Sequence, residues 1–164
     1  MKIALYIGDH ASDDWLTRLG WWATRLVQKG EYWRVTHVEA ILAEHEDGTV
    51  TIGSASLRDG GVRTKRCALN PEHWMIVDVP KWSVTKARKW FSDHAGEPYD
   101  SRGAFASAMP IQWSQPGRWF CNQAVSDAFL KSAGSFGPSL FAATILSFGA
   151  DVTTEFFRAR YAGI

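Results

Sequence analysis

Residues 34–55 read RVTHVEAILAEHEDGTVTIGSA, and this stretch decides the fold. Its first part mixes the β-branched residues Val35, Thr36, Val38 and Ile41 with polar side chains, and the apolar run 50–55 follows a turn at Glu46-Asp47-Gly48. Two such runs joined by an Asp-Gly turn have the pattern of a β-hairpin. His37 then lies at the start of the first hairpin strand. Working outward, residues 2–7 form a short apolar run ending at Gly8, which predicts an opening strand, and Arg58-Asp59-Gly60-Gly61 predicts a second turn. Residues 74–79 (WMIVDV), closed by Pro80, predict a third strand after the hairpin. Together these runs predict an antiparallel meander.

Helical signals surround the strands. In residues 13–29, Trp15, Leu19, Trp22 and Leu26 recur at spacings of four, three and four, with Ser12 placed to cap and Gly30 to terminate. Residues 82–95 carry Val84, Ala87 and Trp90-Phe91 near helical spacing and end at Gly96; Pro98-Tyr99-Asp100 then forces a loop. A short helix is expected from Gly103 to Met109, stopped by Pro110. Another runs over residues 121–133, where Cys121, Ala124, Val125, Ala128 and Phe129 fall on one side of the wheel. Pro138 suits the first turn of a further helix over residues 139–148, and residues 151–164 follow no assignable pattern. The expected class is α+β, an antiparallel sheet packed by helices, in a single domain over residues 1–164.

Length and composition agree with that class. The chain has 164 residues, 46% hydrophobic and 21% charged, which excludes a disordered or fibrous chain. Eighteen Lys and Arg against seventeen Asp and Glu leave a net charge of +1, so no nucleic-acid partner is expected. No export signal precedes Asp9 and no long uncharged apolar stretch occurs, so the expectation is a cytoplasmic protein without a membrane span. Nine Trp imply a large aromatic core, an aromatic groove, or both.

Most catalytic motifs are absent. His10, His37, His45, His73 and His94 offer no HExxH, and no metal or other cofactor is expected. There is no GxGxxG or GxxxxGK for phosphate and no GxSxG elbow. Cysteine chemistry remains, carried by one residue, because Cys67 and Cys121 are too few for a disulfide framework or a thiolate zinc site. A thiolate forms readily at a helix N-terminus beside an imidazolium, and Cys121, opening a helix that His37's strand can pack against, has access to both. Its bland alternative is a small core residue, and Asn122 is itself a good N-cap, which would put Cys121 outside the helix. Cys67, after Lys65-Arg66, reads as a structural loop residue. Trp21 lies off the Trp15/Trp22 stripe and is a candidate for binding a substrate beside a cleft. Lys86, Arg88 and Lys89 read as a solvated helix face.

His37-Val38-Glu39 opening a strand, residues 58–63 (RDGGVR) after the hairpin, residues 96–100 (GEPYD) before Gly103, and Trp119-Phe120-Cys121 starting a helix follow one another in the chain. This series resembles the permuted papain-like branch of the NlpC/P60 superfamily, which holds phage and prophage members and the YiiX-like proteins and is related to the lecithin retinol acyltransferase group. The resemblance spans roughly residues 1–140. It implies a circularly permuted papain-like fold, with Cys121 as nucleophile and His37 as general base. It also implies a third residue that orients the imidazole, either Glu39, on the same strand face, or Ser54, on the next strand. Tyr99 and Asp100 match a motif where a turn and a substrate contact are both open readings. Gln123 replaces a glutamate that relatives commonly carry, which implies either a changed substrate preference or weakened catalysis. The implied function is a cysteine hydrolase acting on an amide or ester, with a peptidoglycan peptide as first substrate and a peptide or acyl group as partner. Lipid acyl transfer, thioester cleavage, or a non-catalytic phage accessory role are the alternatives.

Overall fold

A computed structural model describes residues 1–8, 34–107, 113–130 and 138–161. The helix expected over residues 13–29, with Trp15, Trp21 and Trp22, lies outside the described residues, as does His10. The chain is α+β. Strands β1 (Lys2–Tyr6), β2 (His37–Glu44), β3 (Val50–Ser56), β4 (Gly61–Cys67), β5 (Trp74–Asp78) and β6 (Ala150–Asp151) form one antiparallel sheet in the order β4-β3-β2-β1-β5-β6. Among the described residues the helices are α1 (Val84–Asp93), α2 (Ser101–Ala106), α3 (Cys121–Leu130), α4 (Pro138–Leu146) and α5 (Thr153–Tyr161).

The hairpin expectation holds. Gly48, at φ 80°, turns β2 into β3 where an L side chain would be strained, and Asp47 Oδ1 accepts from the Thr49 amide at 3.1 Å. The register slips once, between Ile41 and Ala43. A bulge leaves a carbonyl outside the ladder, and Arg88 of α1 donates its Nε to the Leu42 oxygen at 2.8 Å. Arg88 therefore does more than sit on a solvated helix face, although Lys89 is exposed and pairs with Asp93 at 2.8 Å.

Two expectations are corrected. The region after the second turn is a strand, β4, whose last residue is Cys67, paired with Val50, so Cys67 is not a loop residue. β4 gives no strand signal in the sequence because it is the sheet edge: Thr64, Lys65 and Arg66 are all exposed, and charged edges show no apolar alternation. The strands also do not form a simple meander, since β5 returns to pair with β1, which places β1 in the sheet interior between β2 and β5.

Alternation along the strands divides the core. Ile3, Leu5, Val38, Ala40 and Leu42 face a cluster with Phe91 of α1 and with Ala124, Val125 and Ala128 of α3. Ala4, Ile41, Ile52 and Ile76 face the other way, against Phe156 and Phe157 of α5. Gly53 lets Phe91 lie on the sheet, because an added Cβ would stand 2.8 Å from its ring. Ser83 caps α1, whose Ala87 and Phe91 are buried. Helix α3 lies across β2 and β3, which brings its first turn to the end of the sheet where β2 begins.

Candidate functional site

Cys121 is the first residue of α3, and the Ala124 amide donates to Phe120 O at 2.9 Å, so Phe120 rather than Asn122 stands at the cap. The first turn is deeply packed: Cys121, Asn122 and Gln123 are 4%, 0% and 3% exposed. The Asn122 Oδ1 is 3.7 Å from the Cys121 Sγ, within reach as acceptor of the thiol proton. Asn122 Nδ2 and Gln123 Oε1 have no hydrogen-bond partner among the described residues.

His37 opens β2 opposite Tyr6. Its imidazole is in hydrogen-bonding contact with the Cys121 thiol, across more than eighty positions of sequence. Its Nε2 lies 2.8 Å from Oε1 of Glu39, two residues along the strand and hence on the same face. The His37 side chain keeps 18% of its surface exposed, whereas Glu39 keeps 2%.

Glu39 is held from the far side by a residue that sequence reasoning did not assign. Arg63 of β4 donates from Nη1 to Oε2 at 2.7 Å and from Nη2 to Oε1 at 2.6 Å. Its Nε donates to Asp59 Oδ2 at 2.6 Å. Ala40 pairs with Gly53 and Ser54 with Arg63, so Glu39, Ser54 and Arg63 share one cross-strand row, and the small Ser54 leaves space for the guanidinium to reach over it. Ser54 is buried and donates its hydroxyl to Val38 O at 2.7 Å. Between the two candidates for the third position, Glu39 meets His37, and Ser54 is tied to the backbone.

Electrostatics follow this geometry. Burial draws the His37 pKa down, but the charges of Glu39 and Cys121 outweigh it and raise the value from 6.5 to about 9. Burial would push Glu39 up, but the Arg63 hydrogen bonds and the His37 charge lower it to about 2. Burial and the nearby Glu39 charge raise the Cys67 thiol.

Tyr99 and Asp100 lie in the segment before α2. The Tyr99 amide donates to Gly60 O at 3.1 Å and the Asp100 amide to Trp119 O at 2.9 Å, so the segment is clamped between the second turn and the residues leading into α3. Gly61 is needed at that clamp, since a Cβ there would stand 2.0 Å from the Glu97 carbonyl oxygen. Both Asp100 oxygens accept from backbone, from Gly103 N at 2.8 Å and Gln115 N at 3.0 Å. Asp100 thus caps α2 and ties down the loop entering α3. Tyr99 is close enough to the thiol to feel its charge; burial first, then Cys121 and Asp100, raise its pKa. Trp119 donates its indole N–H to Glu97 and meets Trp90 edge-on at 4.9 Å, and Trp90 donates to Asp127 of α3 at 2.9 Å. These indoles fasten the start of α3 to α1, a role that aromatic content alone does not reveal.

Trp21 lies outside the described residues. Among the described residues, no three His, Cys, Asp or Glu side chains are placed to share a metal ion, and no helix is long and apolar enough to cross a membrane. A cavity of about 380 Å³ beside Lys2, Glu44, Asp78 and Arg88 lies at the opposite end of β1 and β2 from His37, and its Lys2 and Glu44 pair with each other at 2.6 Å. No family model matches the chain, and no curated protein or solved structure is significantly similar to it.

Proposed function

We propose that this chain is a cysteine hydrolase with a permuted papain-like arrangement, cleaving an amide or ester bond through a thioester on Cys121 with His37 as general base. The observation that carries this reading is the contact of the His37 imidazole with the Cys121 thiol at the first turn of α3, while Nε2 of the same ring pairs with Glu39. That leaves Nδ1 to take the thiol proton. The thiolate attacks the carbonyl carbon, and the tetrahedral intermediate collapses as the imidazolium protonates the leaving amine or alcohol. Water, deprotonated by His37, then attacks the thioester, releasing the acid and restoring the thiol. Backbone N–H groups of the first α3 turn are suitable donors to the oxyanion, an interaction typically worth about 3 kcal/mol. Glu39 orients the ring and stabilises its protonated form.

The order of the histidine strand before the cysteine helix, with Glu39 two residues after His37, supports the permuted arrangement. A peptidoglycan peptide is the first substrate to test. The purified protein is incubated with peptidoglycan and, separately, with short- and long-chain acyl esters, and an acyl adduct on Cys121 is sought by intact mass. One substrate class is hydrolysed; Cys121→Ala abolishes turnover and adduct, and His37→Ala slows turnover by about a hundredfold or more. Absence of both turnover and adduct on every substrate refutes the reading in favour of a binding role.

A further inference from the structure

We propose that Arg63 is a positioning residue that sets the basicity of His37 through Glu39, and that Asp59 steadies it from the second turn; this rests on the reading above only in taking His37 as the base. Four side chains of alternating charge stand in line, Asp59, Arg63, Glu39 and His37, and the line ends at Cys121. Glu39 Oε1 is shared: Arg63 Nη2 reaches it at 2.6 Å and His37 Nε2 at 2.8 Å. A buried carboxylate serving the imidazole alone would stabilise the imidazolium strongly, and an imidazolium that holds its proton too tightly is a poor acid toward the leaving group. The guanidinium fork draws off part of that negative charge and fixes both oxygens in one plane.

Among the described residues, the groups that act on this line come from five elements. Glu39 on its own strand and Cys121 from α3 act on His37, and Arg63 from β4 acts on Glu39. Asp59 acts on Arg63 from the turn, Lys65 of β4 lies 3.8 Å from Asp59, and Tyr99 senses Cys121 from the segment before α2. The guanidinium is held in its charged form by Glu39 and Asp59 against the cost of burial. It is therefore a fixed positive charge in line with His37, and removing a neighbouring cation raises the proton affinity of an imidazole.

The test is an ¹⁵N NMR titration of the His37 ring in the full chain, without substrate. Arg63→Met is expected to raise the His37 midpoint by about one pH unit or more, roughly a tenfold tighter hold on the proton. Arg63→Lys keeps the charge without the fork and raises it by less. Asp59→Asn leaves the guanidinium to Glu39 alone and lowers the midpoint by a fraction of a unit. A midpoint that is unmoved or lowered in Arg63→Met overturns the proposal. So does an equal rise in Arg63→Lys. If Arg63→Met does not fold, Asp59→Asn decides, and an unmoved or raised midpoint there is the contrary result. None of these measurements reads turnover, so an inert Cys121 leaves the test intact.

Discussion

Replacing Glu39 with glutamine removes the carboxylate that both Arg63 and His37 face, and its cost follows from the ion pairs that this breaks. The carboxylate is 2% exposed and accepts two guanidinium hydrogen bonds at 2.7 and 2.6 Å. Removing one member of a buried ion pair costs roughly 3 to 5 kcal/mol, because the remaining charge stays desolvated without its partner. Two features place Glu39→Gln at the lower end of that range. The Arg63 side chain, 14% exposed, keeps its bond to Asp59, which is 29% exposed and so partly hydrated. The glutamine carbonyl also still accepts one hydrogen bond. The expected loss is about 3 kcal/mol, or about 6 to 12 °C in Tm for a chain of this size. Urea unfolding followed by tryptophan fluorescence measures it. The double variant Glu39→Gln/Arg63→Met removes the stranded cation as well and is expected to recover at least about half of the loss. A single variant within about 1 kcal/mol of wild type, or a double variant less stable than the single, refutes the view of Glu39 and Arg63 as a buried, mutually dependent pair.

Other outcomes rest on the same geometry. Glu39, lowered from 4.5 to about 2, contributes stability that is present above its unfolded value and lost as pH falls toward 2. His37, raised from 6.5 to about 9, contributes stability that is full below 6.5 and lost as pH rises through 9. Urea midpoints should therefore decline on both sides of a plateau between those windows, with His37→Gln flattening the alkaline decline and Glu39→Gln the acid one. Asp100→Ala removes the α2 cap and the acceptor for the Gln115 amide, and is expected to cost about 2 kcal/mol by urea unfolding, with Asp100→Asn costing less. Gly61→Ala drives a methyl group into the Glu97 carbonyl and should lose at least about 2 kcal/mol in the same assay, whereas Gly60→Ala, with nothing within 4 Å, incurs only the backbone strain of φ 82°.

The hairpin and the helix opening at Cys121 are legible in the sequence because their signals are local: Asp47-Gly48 between β-branched runs, and apolar residues at helical spacing from Cys121 to Phe129. His37 at the start of a strand and Glu39 on the same face follow from the two-residue period alone. The role of Arg63 is hidden because it depends on register. Only when β4 pairs with β3, and β3 with β2, does a side chain 24 positions away meet Glu39. β4 itself is an edge strand with charges toward solvent, so the pattern that reveals half-buried strands is missing. β6 and α5 are hidden for a related reason. Asp151 and Thr153 engage their side chains in the turn between them, and the apolar pair Phe156-Phe157 is too short to set a period.

The pairing of Cys121 with His37 is tested most directly by iodoacetamide alkylation of a Cys67→Ser chain at about pH 6 and about pH 8.5. An unassisted thiol reacts roughly 150-fold more slowly at the lower pH, since its thiolate fraction falls by that factor. With His37 beside it, Cys121 is expected to react faster at the lower pH than an unassisted thiol, and His37→Gln is expected to remove that advantage. A wild-type drop as large as that of the free thiol, unchanged by His37→Gln, contradicts the account.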